Sequence, residues 1–345
     1  MKRSSAKIEV SQAFPCDPPC PLWLRICLQL LMAISLANAV ACNKGADSTA
    51  SAAPSIVATA APPAAAAPDS APLPHIDAKR AFQYTREVTA FGPRYMGSEN
   101  HKKLERYILD HLKGDQVEDD AFTADTVEGK FPVRNIIAKF PGAKDGIIAI
   151  LGHYDTNYPL RNTGYVGAND GGSSTAILLE YANQLHGKKR DGYSVWLVWT
   201  DGEEAVKTWT DTDSLYGTRH LAEKWEKDGT LKKIKALMVM DMIGDADLNI
   251  ERDTNSASWL LDLIYTAAER GGYQSHFYAR QGGFEDDHIP FAKRGVPCAD
   301  VIDLDYGYNN VFHHTPQDTM DKLSPRSLEI VGNTILETIR MLDQR

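Results

Sequence analysis

Two glutamates, Glu203 and Glu204, stand side by side just after the apolar run "YSVWLVWT" (193–200). Adjacent carboxylates repel, so a buried strand end that carries both needs positive charge to offset them. Similar groups recur at similar places. "GIIAILGHYD" (146–155) ends in His153 and Asp155, "KALMVMDMIG" (235–244) carries Asp241, "GANDGGSS" (167–174) presents Asp170, and "NVFHHTP" (310–316) presents His313 and His314. Imidazole and carboxylate donors together suit zinc. Singly, most have plainer explanations. A histidine at a strand end is usually an ordinary hydrogen-bonded residue. Asp170 fits turn or helix-cap chemistry, and "DGEE" fits a solvated loop. Asp241 follows the apolar "ALMVM", where an unpaired carboxylate would be costly. The joint pattern is stronger: three strand ends and two loops offer acid or imidazole groups that one sheet edge could gather.

The elements that must position them alternate along the chain. Apolar spacing predicts helices over 77–91, 98–112, 172–185, 214–227, 256–272 and 324–343, and strands over 133–140, 146–155, 193–200, 235–244 and 295–304. Such alternation implies an α/β fold, a single globular domain whose central mixed, mostly parallel twisted sheet is flanked by helices on both faces. Ligands in such folds bind beyond the carboxyl ends of the strands, which is where the acidic clusters fall.

The chain has 345 residues and a net charge of −9. No basic block follows the first residues, which argues against nucleic acid as a partner. Residues 1–42 read as an export signal: a basic start at Lys2, Arg3 and Lys7, then the apolar "ICLQLLMAISLANAVAC" (26–42). Cys42, after Ala39-Val40-Ala41, resembles a bacterial lipoprotein cysteine; simple signal cleavage, or an unprocessed signal anchor, is the alternative. Residues 43–74 are almost all Ala, Pro and Ser and read as a disordered linker, leaving 75–345 as the catalytic domain. These features predict export to a bacterial periplasm, with membrane attachment through a lipid on Cys42. Only Cys298 remains in the body, without a disulfide partner. Nothing in the sequence fixes an oligomeric state.

The ordered series "GHYDT…GANDGGSSTAILLE…DGEEA…MDMIG…HHT" resembles peptidase family M28, the zinc aminopeptidases. "FGPRYMGS" (91–98), "DGEEAVKTWTDTDSLYGTRHLA" (201–222) and "DDHIPFAKRGVP" (286–297) resemble more closely the animal-type glutaminyl-peptide cyclotransferases within that superfamily. The resemblance covers about 75–345. It implies Asp170, Glu204 and His314 as ligands of one zinc ion per chain, and Glu203 as general acid/base. It implies Asp241 and Asp287 as a carboxylate pair near the substrate amine, and Trp209 as an aromatic pocket wall. His153, backed by Asp155, matches a second-metal ligand of the aminopeptidases. The implied substrate is a peptide or protein N-terminus.

The match has departures. His313 stands where the animal-type cyclases carry a tryptophan, and Gly152 before His153 removes a disulfide position. All five donors of a two-zinc aminopeptidase site are also present: His153, Asp170, Glu204, Asp241 and His314. Hydrolysis of an N-terminal residue with two zincs is therefore the rival reading. A non-catalytic peptide-binding lipoprotein is a third, against which Glu203 speaks, since a binding module needs no general base.

Overall fold

Strict side-chain alternation along the central strands sets up two apolar layers. The computed structural model describes residues 71–345; the segment read as an export signal, and nearly all of the one read as a linker, lie outside the described residues. Along the chain run α1 (Ala78–Thr89), α2 (Glu99–His111), β1 (Gln116–Thr126), β2 (Gly129–Phe140), β3 (Gly142–His153), α3 (Gly172–Leu185), β4 (Arg190–Thr200) and α4 (Tyr216–Lys227). Then follow β5 (Ile234–Asp241), β6 (Ile250–Asp253), α5 (Ser258–Gly271), β7 (Phe277–Gly282), α6 (Ile289–Ala292), β8 (Cys298–Ile302) and α7 (Pro325–Asp343). Six strands form the main sheet in the order β1-β2-β4-β3-β5-β8, and β6 and β7 pair separately. The pairs β4/β3, β3/β5 and β5/β8 are parallel, whereas β1/β2 and β2/β4 are antiparallel. The expected mixed, mostly parallel sheet is present.

Ile148, Ile150, Leu197, Trp199, Met238 and Met240 pack with residues of α1, α2, α3, α5 and α7 on one face. Their sequence neighbours Ile147, Ala149, Leu151, Val198, Leu237 and Val239 pack with α4 and α6 on the other. Period-two patterning buried on both faces is what reads as a continuous apolar run. The helices start where short polar side chains supply caps: Asp77 accepts from Arg80 N at 3.0 Å, Ser98 from His101 N at 3.1 Å, and Ser324 from Arg326 N at 3.1 Å, with Pro325 at the first turn of α7.

Three strands were not expected from the sequence: β1, β6 and β7. The longest, β1 ("QVEDDAFTADT"), is acidic and largely exposed, so it lacks the apolar signal. It is held instead by full-length pairing with β2 and by Lys224, whose Nζ donates to Glu118 at 2.6 Å and Asp120 at 2.8 Å. Among the described residues no helix is long and apolar enough to cross a membrane.

Candidate active site

Because β3, β4 and β5 run parallel, their carboxyl ends meet at one edge of the sheet. That edge carries His153 at the end of β3, Asp201–Glu204 after β4 and Asp241 at the end of β5. Asp170 arrives from the loop entering α3. Gly171 makes this approach feasible: its φ is +72°, and an added Cβ would stand 2.8 Å from the Asp155 carbonyl oxygen and 2.9 Å from His153 Cε1. Gly152 does the same for the strand, since its Cβ would lie 2.6 Å from Ser174 Cβ in α3.

The buried guanidinium of Arg94, from the "FGPR" turn, ties the intervening loop together. It donates to the backbone carbonyls of Tyr154 at 2.9 Å, Gly167 at 2.7 Å, Asp170 at 3.2 Å, and Val166. Asp318 accepts from the backbone N–H groups of Asn169 at 2.8 Å and Asp170 at 3.2 Å, and from Tyr306 Oη at 2.8 Å. Neither Arg94 nor Asp318 stands out in the sequence: apart from the Tyr306 hydroxyl on Asp318, the partners named here are backbone groups, which leave no side-chain pattern to read.

Asp170 stands between two imidazoles. Its Oδ1 is 3.0 Å from His153 Nε2, and its Oδ2 is 3.3 Å from His314 Nε2 while accepting from Tyr165 Oη at 2.5 Å. His314 Nε2 is also 3.2 Å from Glu204 Oε1, and Glu204 Oε2 accepts from Asn157 Nδ2 at 2.8 Å. His314 Nε2 thus stands 3.3 Å from Asp170 and 3.2 Å from Glu204, close to the roughly 3.3–3.6 Å that bonds of about 2.0–2.2 Å set between neighbouring ligands of a tetrahedral ion. Burial lowers the pKa of the His314 imidazole, but Glu204 and Asp170 outweigh it and hold the group up at about 11. This point in the site attracts positive charge, as a cation centre requires. A second grouping adjoins it: His153 Nε2 lies 3.2 Å from Asp241 Oδ1, and His153, Asp170 and Asp241 are all buried. Asp155 Oδ1 stands 3.6 Å behind, at His153 Nδ1, and accepts from Glu203 N at 3.2 Å.

These groups open into a cavity of about 470 Å³ lined by Asp170, Glu203, Glu204, Trp209, Asp241 and Asp286, with Phe284, Ile302, Leu304 and both histidines of the doublet. Burial pushes the Glu203 carboxyl well above its usual range; His153 opposes this, and Glu204, Asp286 and Asp287 add to it. Trp209 is carried by a loop wound around Asp213, which accepts from Val206 N at 3.0 Å, Lys207 N at 3.0 Å, Thr208 N at 2.9 Å and Tyr216 Oη at 2.7 Å. The "TDTDSLYG" segment is therefore scaffolding for the tryptophan.

One placement differs from the expectation. The resemblance paired Asp241 with Asp287, but the residue that lines the cavity with Asp241 is Asp286. Asp287 turns to the opposite side, accepting from Thr218 Oγ1 at 2.7 Å and from Thr200 Oγ1. Two threonine hydroxyls outcompete the cavity for that carboxylate. In the histidine doublet, Asn310 Oδ1 accepts from Tyr306 N at 3.1 Å, so its Nδ2 donates to His313 Nδ1 at 3.1 Å. The proton of neutral His313 is therefore on Nε2. Its ring lies 4.0 Å from that of His314, centroid to centroid.

Comparison with known proteins gives four likenesses. The sequence profile of Peptidase family M28 matches residues 135–339. A glutaminyl-peptide cyclotransferase of Drosophila melanogaster is 32% identical over 253 residues, covering 66% of this chain and 70% of that one. The crystal structure of an Acidobacteriales bacterium glutaminyl cyclase superposes with a TM-score of 0.78 at 50% identity, covering 82% of this chain and all of the other. A Zn-dependent exopeptidase from Parabacteroides distasonis shares the fold at a TM-score of 0.70 and 26% identity, over 79% of this chain and 100% of that one.

Proposed function

The chain belongs to peptidase family M28, in its glutaminyl-cyclase branch, and from that premise we propose that it converts N-terminal glutamine of peptides and proteins to pyroglutamate, releasing ammonia. The observation that carries this reading is a buried carboxylate without a zinc-type role, Glu203, facing a cavity beside the converging donors Asp170, Glu204 and His314. Those three would hold one zinc ion, which supplies Lewis-acid polarisation of the substrate γ-carboxamide when bound.

The remaining chemistry belongs to side chains. The α-amine nitrogen attacks the γ-carbonyl carbon of its own residue, and the bond to the amide nitrogen breaks. Glu203 takes the proton that the amine loses and returns it to the departing nitrogen, which leaves as ammonia. Its raised pKa brings it nearer to both nitrogens than an ordinary carboxylate stands. Asp241 and Asp286 form the acidic wall that receives the substrate amine. Trp209 covers the ring as it closes, and the apolar walls Phe284, Ile302 and Leu304 favour the folded substrate over attack by water.

A second reading, the two-metal aminopeptidase, is favoured by the His153–Asp170–Asp241 grouping. Incubating the purified chain with Gln-initiated and Leu-initiated peptides separates the two. Ammonia and pyroglutamyl product from the first alone are expected; release of leucine overturns the cyclase reading. Export and lipid attachment at Cys42 belong to the same proposal. Palmitate labelling should mark the wild-type chain and not Cys42→Ala; an unlabelled wild type overturns the anchor.

A further inference from the structure

Eleven buried side-chain nitrogen and oxygen atoms lack a hydrogen-bond partner among the described residues, and five of them belong to three neighbouring residues: Asp286 Oδ2, both carboxylate oxygens of Asp300 and both ring nitrogens of His288. Buried polar atoms are otherwise almost always paired, so such a concentration calls for a physical cause. His288 and Asp300 are fully buried and Asp253 is 1% exposed. Asp253 ends β6, His288 immediately precedes α6, and Asp300 lies within β8.

His288 Nε2 is 3.1 Å from Asp253 Oδ2, and Nδ1 is 3.8 Å from Asp300 Oδ2, yet neither ring nitrogen makes a hydrogen bond. One donor atom from each of Asp253, His288 and Asp300 lies within 4.8 Å of the others. That spacing, with ring nitrogens and carboxylate oxygens buried and unpaired, is one that a shared ion could span. Asp253 is held for this: its Oδ1 accepts from Asn255 N at 3.1 Å and Phe284 N at 3.0 Å, and its Oδ2 from Ser256 Oγ at 2.5 Å. Ser256 Oγ in turn accepts from Asp300 N at 2.9 Å. Two buried carboxylates, with Asp286 beside them, face one imidazole, and charges so placed are costly unless compensated.

We propose that Asp253, His288 and Asp300 bind a second divalent cation of the zinc type, structural and separate from the cavity. One imidazole with two carboxylates is a donor set for zinc and its neighbours rather than for the all-oxygen preference of calcium. Closure on all sides fits a structural ion, which would pin β6, α6 and β8 together behind the cavity wall that Asp286 forms. The inference does not depend on which reaction the cavity performs.

The test uses the full chain, loaded with zinc and dialysed against zinc-free buffer. Asp170→Asn removes the donor common to both groupings at the cavity, so one zinc equivalent should remain, and adding Asp300→Asn should remove it. An Asp170→Asn chain without zinc overturns the proposal, as does a double variant that keeps its equivalent. Should the double variant not fold, Asp170→Asn is melted with and without a strong chelator. A Tm lowered by the chelator supports the structural ion, and an unchanged Tm overturns it.

Discussion

Two clusters of histidine and carboxylate lie on either side of Asp286, which lines the cavity and adjoins Asp300. They use the same donor types. In the cavity cluster the His314 side chain is 36% exposed, on a segment where Asn309, Asn310 and His314 itself take positive φ of 56°, 60° and 49°. In the rear cluster His288 is fully buried, and two of the three donors sit on strands. The comparison teaches that access and backbone strain, not donor chemistry, separate a place for reaction from a place for scaffolding. A residue such as His314 can sit in a sparsely populated conformation because its surroundings, Glu204 and Asp170 above all, hold it there.

The largest effect expected is at the open side. Glu203→Gln should lower kcat by roughly 10³-fold, the scale of a lost general acid/base, while zinc content stays unchanged. Loss of metal with activity would erase the division between the two glutamates. Next comes a pair of matched truncations. His288→Ala should destabilise the chain by about 3–5 kcal/mol, because it strands buried carboxylates; His314→Ala should cost less, because Asp170 keeps His153 and Glu204 keeps Asn157 as partners. Denaturant melts that show equal losses would break the contrast between scaffold and site.

The aspartate doublet gives a finer cut. Asp286→Asn should reduce kcat/KM by roughly 10–100-fold, corresponding to one charge-assisted hydrogen bond of about 1.5–3 kcal/mol. Asp287→Asn, which weakens bonds to Thr200 and Thr218, should instead lower Tm and leave KM near wild type. Steady-state kinetics beside thermal melts distinguish them. The smallest effect is a displacement of the pH profile. Glu203 must be ionised to accept the amine proton, and burial raises its pKa. Activity is therefore present above that raised pKa and falls as pH drops through it, so the acid limb of kcat/KM should lie above the ordinary carboxylate range. A limb near pH 4 would show that Glu203 is not desolvated.

Much of this was legible in the chain. The strands that bear His153, the Glu203–Glu204 pair and Asp241 announced themselves as apolar runs ending in polar residues, because burial on both sheet faces writes a continuous signal. The strand β1 did not, since an acidic edge strand is stabilised by pairing and ion pairs rather than by its own apolar content. Arg94 and Asp318 were equally silent, because most of their partners are backbone groups far away in sequence.

Doublets mark the boundary between the two kinds of knowledge. Sequence alone determined the α/β alternation, and it placed acid and imidazole groups at the carboxyl ends of parallel strands. It also supplied three pairs of like residues: Glu203-Glu204, Asp286-Asp287 and His313-His314. Which member of each pair meets which partner was decided only by tertiary structure. Asp287 is claimed by two threonine hydroxyls, His313 by the Asn310 amide, and Glu204 by Asn157 and His314. Neighbouring side chains have the same chemistry but different directions, and direction depends on contacts made by residues remote in the chain.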